Sequence, residues 1–128
     1  MKRARIRIFF DGGCRPNPGQ MEIAVVVRGV VHLRQNLGQG TNMDAEWLAL
    51  IQALRIGQEL GGIEFELLGD AAVVINQANG SWPCRSPDLA AHKAEFDAIA
   101  VARPPARIRR ISRSQNLAGI ALARLHPR

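Results

Sequence analysis

The chain has 128 residues, with 17 Lys and Arg against 11 Asp and Glu, a net charge of +6, and 47% hydrophobic residues. Residues 1–128 are therefore read as a single domain long enough to bury a core. The longest apolar runs, such as residues 23–27, fall far short of the ~20 residues a membrane span needs, and no signal segment follows Met1-Lys2-Arg3, so no membrane partner and a cytoplasmic location are expected.

The positive charge is clustered. Lys2, Arg3, Arg5 and Arg7 lie on or before the first apolar stretch, and Arg103, Arg107, Arg109, Arg110 and Arg113 lie together near the end. A polyanion is the natural partner, because each neutralised phosphate releases condensed counterion. Cys14 and Cys84 have no metal-ligand spacing.

Ile6, Ile8 and Phe10 recur at the period of a strand with one face on a core. The strand is expected to end at Asp11, where Gly12 and Gly13 loosen the backbone ahead of a turn over Pro16-Asn17-Pro18-Gly19. Residues 21–27 and 30–37 read as an antiparallel hairpin around Arg28-Gly29, broken by Gly38-Gln39-Gly40. Thr41 opens a helix as N-cap with Asp44 three residues on, a variant of the capping box. Trp47, Leu50, Ile51, Ala53 and Leu54 continue it at helical spacing to about Leu60, and Gly61-Gly62 stops it. Residues 63–68 form the next strand, ending at Gly69-Asp70. A short helix over 71–78 follows, then one capped by Ser86 or Asp88 and running to about Ala102. A strand over 107–111 and a helix over 115–125 complete a mixed sheet with packed helices, an α/β fold.

Three acids stand out in this frame. Asp11 and Asp70 each end an apolar strand, and Glu46 lies in line with Ala49, Leu50 and Ala53 on the inward stripe of its helix. Singly they have structural explanations, as a turn residue, a helix-dipole partner and an N-cap. Together they describe a site for hard divalent cations, which prefer oxygen ligands.

With these residues in place the chain resembles a type 1 ribonuclease H over nearly its whole length. The resemblance rests on Asp11-Gly12-Gly13-Cys14 with Asn17-Pro18-Gly19, on Thr41-Asn42-Met43-Asp44-Ala45-Glu46, and on Asp70 ahead of Val74-Ile75-Asn76-Gln77-Ala78-Asn79-Gly80. It implies a ribonuclease H-like fold with a five-stranded mixed sheet and helices on both faces. It implies cleavage of the RNA strand of an RNA-DNA hybrid with two Mg²⁺ or Mn²⁺ ions held by Asp11, Glu46 and Asp70. By the same resemblance Asn17 and the amides around Gly12, Gly13, Cys14 and Arg15 would read ribose 2′-hydroxyls, the mark of RNA. Thr41 and Asn42 would touch the DNA strand, and Arg113, also read as a nucleic-acid contact, opens a run Arg113-Ser114-Gln115-Asn116 that resembles the His-less variant of the loop before the last helix. A monomer is expected.

The chain also departs from the family. The family's fourth acid, four residues after an Asn in the last helix, is replaced: Asn116 is present, but Ile120 stands in the acid's place, and no Asp or Glu follows Asp97. Glu66 lies roughly 13 Å from Asp70 along the same strand at ~3.3 Å per residue. Asp44 turns away from Glu46 on the helix, which leaves Glu22 as the least implausible substitute. Asn-Asn has become Asn42-Met43, and Ala71-Ala72 replace polar neighbours of Asp70. His32, His92 and His126 are read as structural or surface residues. Two readings follow: a ribonuclease H weakened by loss of one metal-ligand Asp, or a catalytically impaired ribonuclease H-like nucleic-acid-binding protein.

Overall fold

The alternation of Ile6, Ile8 and Phe10 against Arg7, Phe9 and Asp11 places the two sets on opposite sides of strand β1 (Ile6–Cys14). The computed structural model describes residues 5–126, so Lys2 and Arg3 of the first basic cluster lie outside the described residues. β1 pairs antiparallel with β2 (Gly19–Val27), which pairs antiparallel with β3 (Val30–Arg34). Arg28 and Gly29, with φ of 52° and 76°, make the two-residue turn between them; two positive φ values match the right-handed twist of a hairpin. A two-residue strand β4 (Gln39–Gly40) pairs with the start of β2.

Helix α1 (Asn42–Glu59) starts on the expected capping box, with the Thr41 hydroxyl and the Asp44 carboxylate each serving the other's backbone N–H. β5 (Phe65–Gly69) then runs parallel to β1, and β6 (Arg107–Arg110) runs parallel to β5, giving the order β3-β2-β1-β5-β6 with β4 off this path. Between them lie α2 (Ala72–Ala78) and α3 (Pro87–Ala100), the latter capped by Ser86. A 3₁₀ turn (Arg113–Gln115) leads into α4 (Leu117–Arg124). The fold is thus the expected α/β mixed sheet, with a sixth, very short strand added.

The two faces of the sheet are covered unequally. Ile6, Ile8, Phe10, Val25, Phe65 and Leu67 form the large core with α1, α2 and α3, around the fully buried Trp47. Inside it the Trp47 indole N–H donates to Gln77 Oε1 at 3.2 Å, so a buried polar pair is satisfied. On the other face Phe9, Ala24, Val26 and Leu68 pack under Ala118 and Leu122 of α4.

Several element boundaries move. β1 does not end at Asp11: it pairs with β2 through Cys14, and Gly12-Gly13 are strand residues. A Cβ on Gly12 would come within 2.2 Å of the Ala45 carbonyl oxygen, so the glycine lets β1 lie directly against the first turn of α1. β3 stops at Arg34 rather than Leu37, because Leu37 N–H turns to Met21 O beside β4. The last helix begins after Asn116, whose side chain caps it through Ala118 N–H at 3.1 Å.

Candidate active site

Three segments deliver the acids to one place. Asp11 projects from β1 on the α4 side of the sheet, Glu46 from the first turns of α1, and Asp70 from the end of β5. One oxygen from each lies within 4.8 Å of the other two, so the structure brings all three expected acids together. Glu46 Oε2 is buried without a hydrogen-bond partner. Asp70 is held from below: Asn116, fully buried, donates through Nδ2 to Asp70 Oδ2 at 2.9 Å and to the Phe10 carbonyl at 3.0 Å.

The electrostatics follow from this crowding. Burial pushes the Glu46 carboxyl up to about 10, with the charges of Asp11 and Asp70 adding to it. Burial also raises Asp11, to about 6; the Glu46 carboxyl hydrogen-bonds it and pulls the other way, Asp70 raises it further, and Arg113 lowers it. A buried carboxyl oxygen left without a partner, on a residue whose carboxylate lies within 4.8 Å of two other acids, is what a divalent cation would satisfy, so the donor set fits hard-metal ligation.

The acids line a cleft of about 620 Å³ together with Arg15, Arg113 and Ile120. Gly119 of α4 lies against the trio: a Cβ there would sit 3.4 Å from Asp11 Oδ2. Ile120 lines the same wall and is 38% exposed, a large apolar side chain facing acids.

The other expected contact residues form one network where the turn after β1 meets α1. Asn17 Oδ1 accepts from Asn42 N–H at 3.1 Å, and Asn42 Oδ1 accepts from Cys14 N–H at 3.0 Å. The Cys14 amide is therefore already bound within the protein, while Gly12, Gly13, Arg15 and Asn42 line the cleft. Thr41 Oγ1 both accepts from Asp44 N–H and donates to Asp44 Oδ2, so its hydroxyl serves the cap. Asp44 also meets His92 Nε2 at 3.0 Å.

Glu22, the substitute acid weighed from sequence, has a partner that no local pattern announces. Glu22 lines the cleft, and His126 Nε2 lies 2.8 Å from both of its oxygens. Arg103, counted with the basic cluster, instead donates to the carbonyls of Gly57, Gln58 and Ile63 and lies over Phe65, where it closes the end of α1. Among the described residues no helix is long and apolar enough to cross a membrane.

Comparison with known proteins places these observations. A family model described as reverse transcriptase-like matches residues 9–126. Ribonuclease HI of Halobacterium salinarum is 38% identical over 90 residues, which are 66% of this chain and 45% of that protein. The chain spans less than half the length of the curated relatives it matches. Among solved structures, RNase H1 from Halobacterium salinarum superposes with a TM-score of 0.83 at 29% identity, covering 93% of this chain and 94% of that one. LC11-RNase H1, isolated from compost and solved in complex with an RNA/DNA hybrid, gives 0.77 at 32% identity over 88% of this chain and 89% of that one.

Proposed function

The chain belongs to the type 1 ribonuclease H family, within the reverse transcriptase-like group, and from that premise we propose that it is an endoribonuclease cleaving the RNA strand of RNA-DNA hybrids with divalent metal ions. The observation that carries this reading is the gathering of Asp11, Glu46 and Asp70 within 4.8 Å on one wall of a cleft.

Asp11, Glu46 and Asp70 would hold two Mg²⁺ or Mn²⁺ ions, which when bound supply a water of lowered pKa and charge neutralisation at the leaving oxygen. The chain's own residues prepare the rest. Asn116 fixes the Asp70 carboxylate from a fully buried position, so one acid is preorganised by a hydrogen bond rather than by a ligand. Asn17 locks the turn after β1 to Asn42 at the start of α1, and Asn42, with Gly13 and Arg15, forms the wall suited to an RNA strand and its 2′-hydroxyls. Arg113 lies on the side of Asp11, where its charge favours a phosphate. The module is read as one domain acting as a monomer.

The second reading, a binding protein with impaired chemistry, is favoured by Ile120, which leaves that wall of α4 without an acid. Cleavage of an end-labelled RNA-DNA duplex, with Mg²⁺ and Mn²⁺ titrated and Asp70→Asn as control, separates the two. Slow cleavage that needs high metal and is lost in Asp70→Asn supports the enzyme. Tight hybrid binding without any cleavage at saturating Mn²⁺, and cleavage gained by Ile120→Asp, would establish the binding protein.

A further inference from the structure

One carboxylate in the cleft is outside the trio and has its own partner. The register sets Glu22 opposite Gly13 and Ala24 opposite Asp11. Paired residues project to the same face, so Glu22 and Asp11 stand on the α4 side of the sheet as diagonal neighbours, about 7–8 Å apart with their Cβ atoms somewhat closer. Gly13 interposes no side chain between them. Glu22 then lines the cleft beside Gly119, Ile120 and Ala123, the part of α4 that offers no acid.

The Glu22 side chain is 12% exposed, and among the described residues no Lys or Arg meets it. A carboxylate so placed has lost most of its water and calls for hydrogen bonds within the protein. His126 supplies them from beyond the end of α4, with Nε2 2.8 Å from each oxygen. One imidazole N–H uses a single donor position, whereas a carboxylate offers about four lone-pair sites. Glu22 is thus held in one orientation with acceptor capacity left over toward the cleft. It is not within the 4.8 Å group, so its place is beside the metal ligands rather than among them.

Resting on the function proposed above, we infer that Glu22, latched by His126, is an outer-shell carboxylate for a cation on the Asp11 side of the cleft. It accepts hydrogen bonds from the waters that ion carries, and so stands in for the acid that Ile120 displaces. Mg²⁺ keeps several waters when bound by few carboxylates, and those waters need oriented acceptors. A pair serving only to clasp β2 to the chain after α4 would do the same work anywhere along their contact. This one sits at the wall where the trio lacks a fourth acid.

The test is Mn²⁺ binding by calorimetry to the chain without nucleic acid, beside thermal melts in chelator. Glu22→Gln keeps the shape and a hydrogen bond to His126 while removing the charge. It should weaken Mn²⁺ binding by about 10- to 100-fold, the usual loss for an outer-shell partner, with the chelated melting temperature little changed. His126→Gln should weaken it in the same direction, and Ile120→Asp in the Glu22→Gln background should restore it. Wild-type Mn²⁺ affinity in both Glu22→Gln and His126→Gln, whatever their melting temperatures, would overturn the inference while leaving hybrid cleavage by the natural chain untouched. Failure of the natural chain to bind Mn²⁺ at all would overturn both readings.

Discussion

Asn116 does three jobs with one side chain. It donates to Asp70, donates to the Phe10 carbonyl at the sheet centre, and accepts from Ala118 N–H to cap α4. Asn116→Ala should cost about 2–3 kcal/mol, from a lost cap and a buried carbonyl left bare, measured by denaturant unfolding. Hybrid cleavage should fall further than stability explains, because Asp70 loses its anchor. The acids themselves carry a pH signature. In the metal-free chain burial raises Asp11 from 3.8 to about 6 and Glu46 from 4.5 to about 10. The folded state therefore binds these protons more tightly than the unfolded one. Their contribution to stability is present in full below pH ~4 and is lost as pH rises through 6 and onward. Melts in chelator should show this decline, Glu46→Gln should flatten its upper part, and added Mn²⁺ should reverse it. At this scale the trio was legible because Asp11 and Asp70 each follow an alternating apolar run and Glu46 lies on a helix stripe, although β1 continues past Asp11 to Cys14. The Glu22–His126 pair was not, since its members are 104 positions apart and no periodicity links them.

At the scale of elements, the separation of Asp11 and Glu46 is set by how closely β1 approaches α1. Gly12 rests on the Ala45 carbonyl, one residue from each acid in sequence. Gly12→Ala must push the helix away. We expect a loss of about 1–3 kcal/mol, as for other overpacked positions, together with weaker Mn²⁺ binding, checked by melts and calorimetry. From sequence the strand is expected to end at Asp11 with Gly12-Gly13 leading into a turn, since glycine marks turns and close approaches alike and only the partner surface distinguishes them. The capping box at Thr41 was legible in full because both its halves lie within four residues. Arg103 was misread for the opposite reason: its carbonyl partners at Gly57, Gln58 and Ile63 are more than 39 positions away.

Across the whole molecule, charge and cover are distributed unevenly. A groove of about 520 Å³ lined by Arg5, Arg7 and Arg28 lies on the α4 side of the sheet, beyond Leu117 and apart from the cleft. Arg5 there is committed to Glu64 and Glu66. Hybrid affinity should fall linearly with the logarithm of salt concentration, and Arg113→Gln, in the cleft, should reduce that slope by about 1. Arg28→Gln, outside the cleft, should leave it unchanged for a hybrid short enough to occupy the cleft alone. The net charge of +6 points to a polyanion but cannot assign which arginines would meet it, because that depends on which face each strand turns toward α4.

The lopsided cover has a consequence for heat. α4 has eight residues, and the stretch containing it is tied at one end through Asn116 to Asp70 and just past the other through His126 to Glu22. So short a helix on the thin side is a natural first unit to open, ahead of the layer built on Trp47. Amide exchange should be quickest there. On warming, the molecule would lose its grip on two of its carboxylates, and with them the proposed metal site, while most of its body still stood.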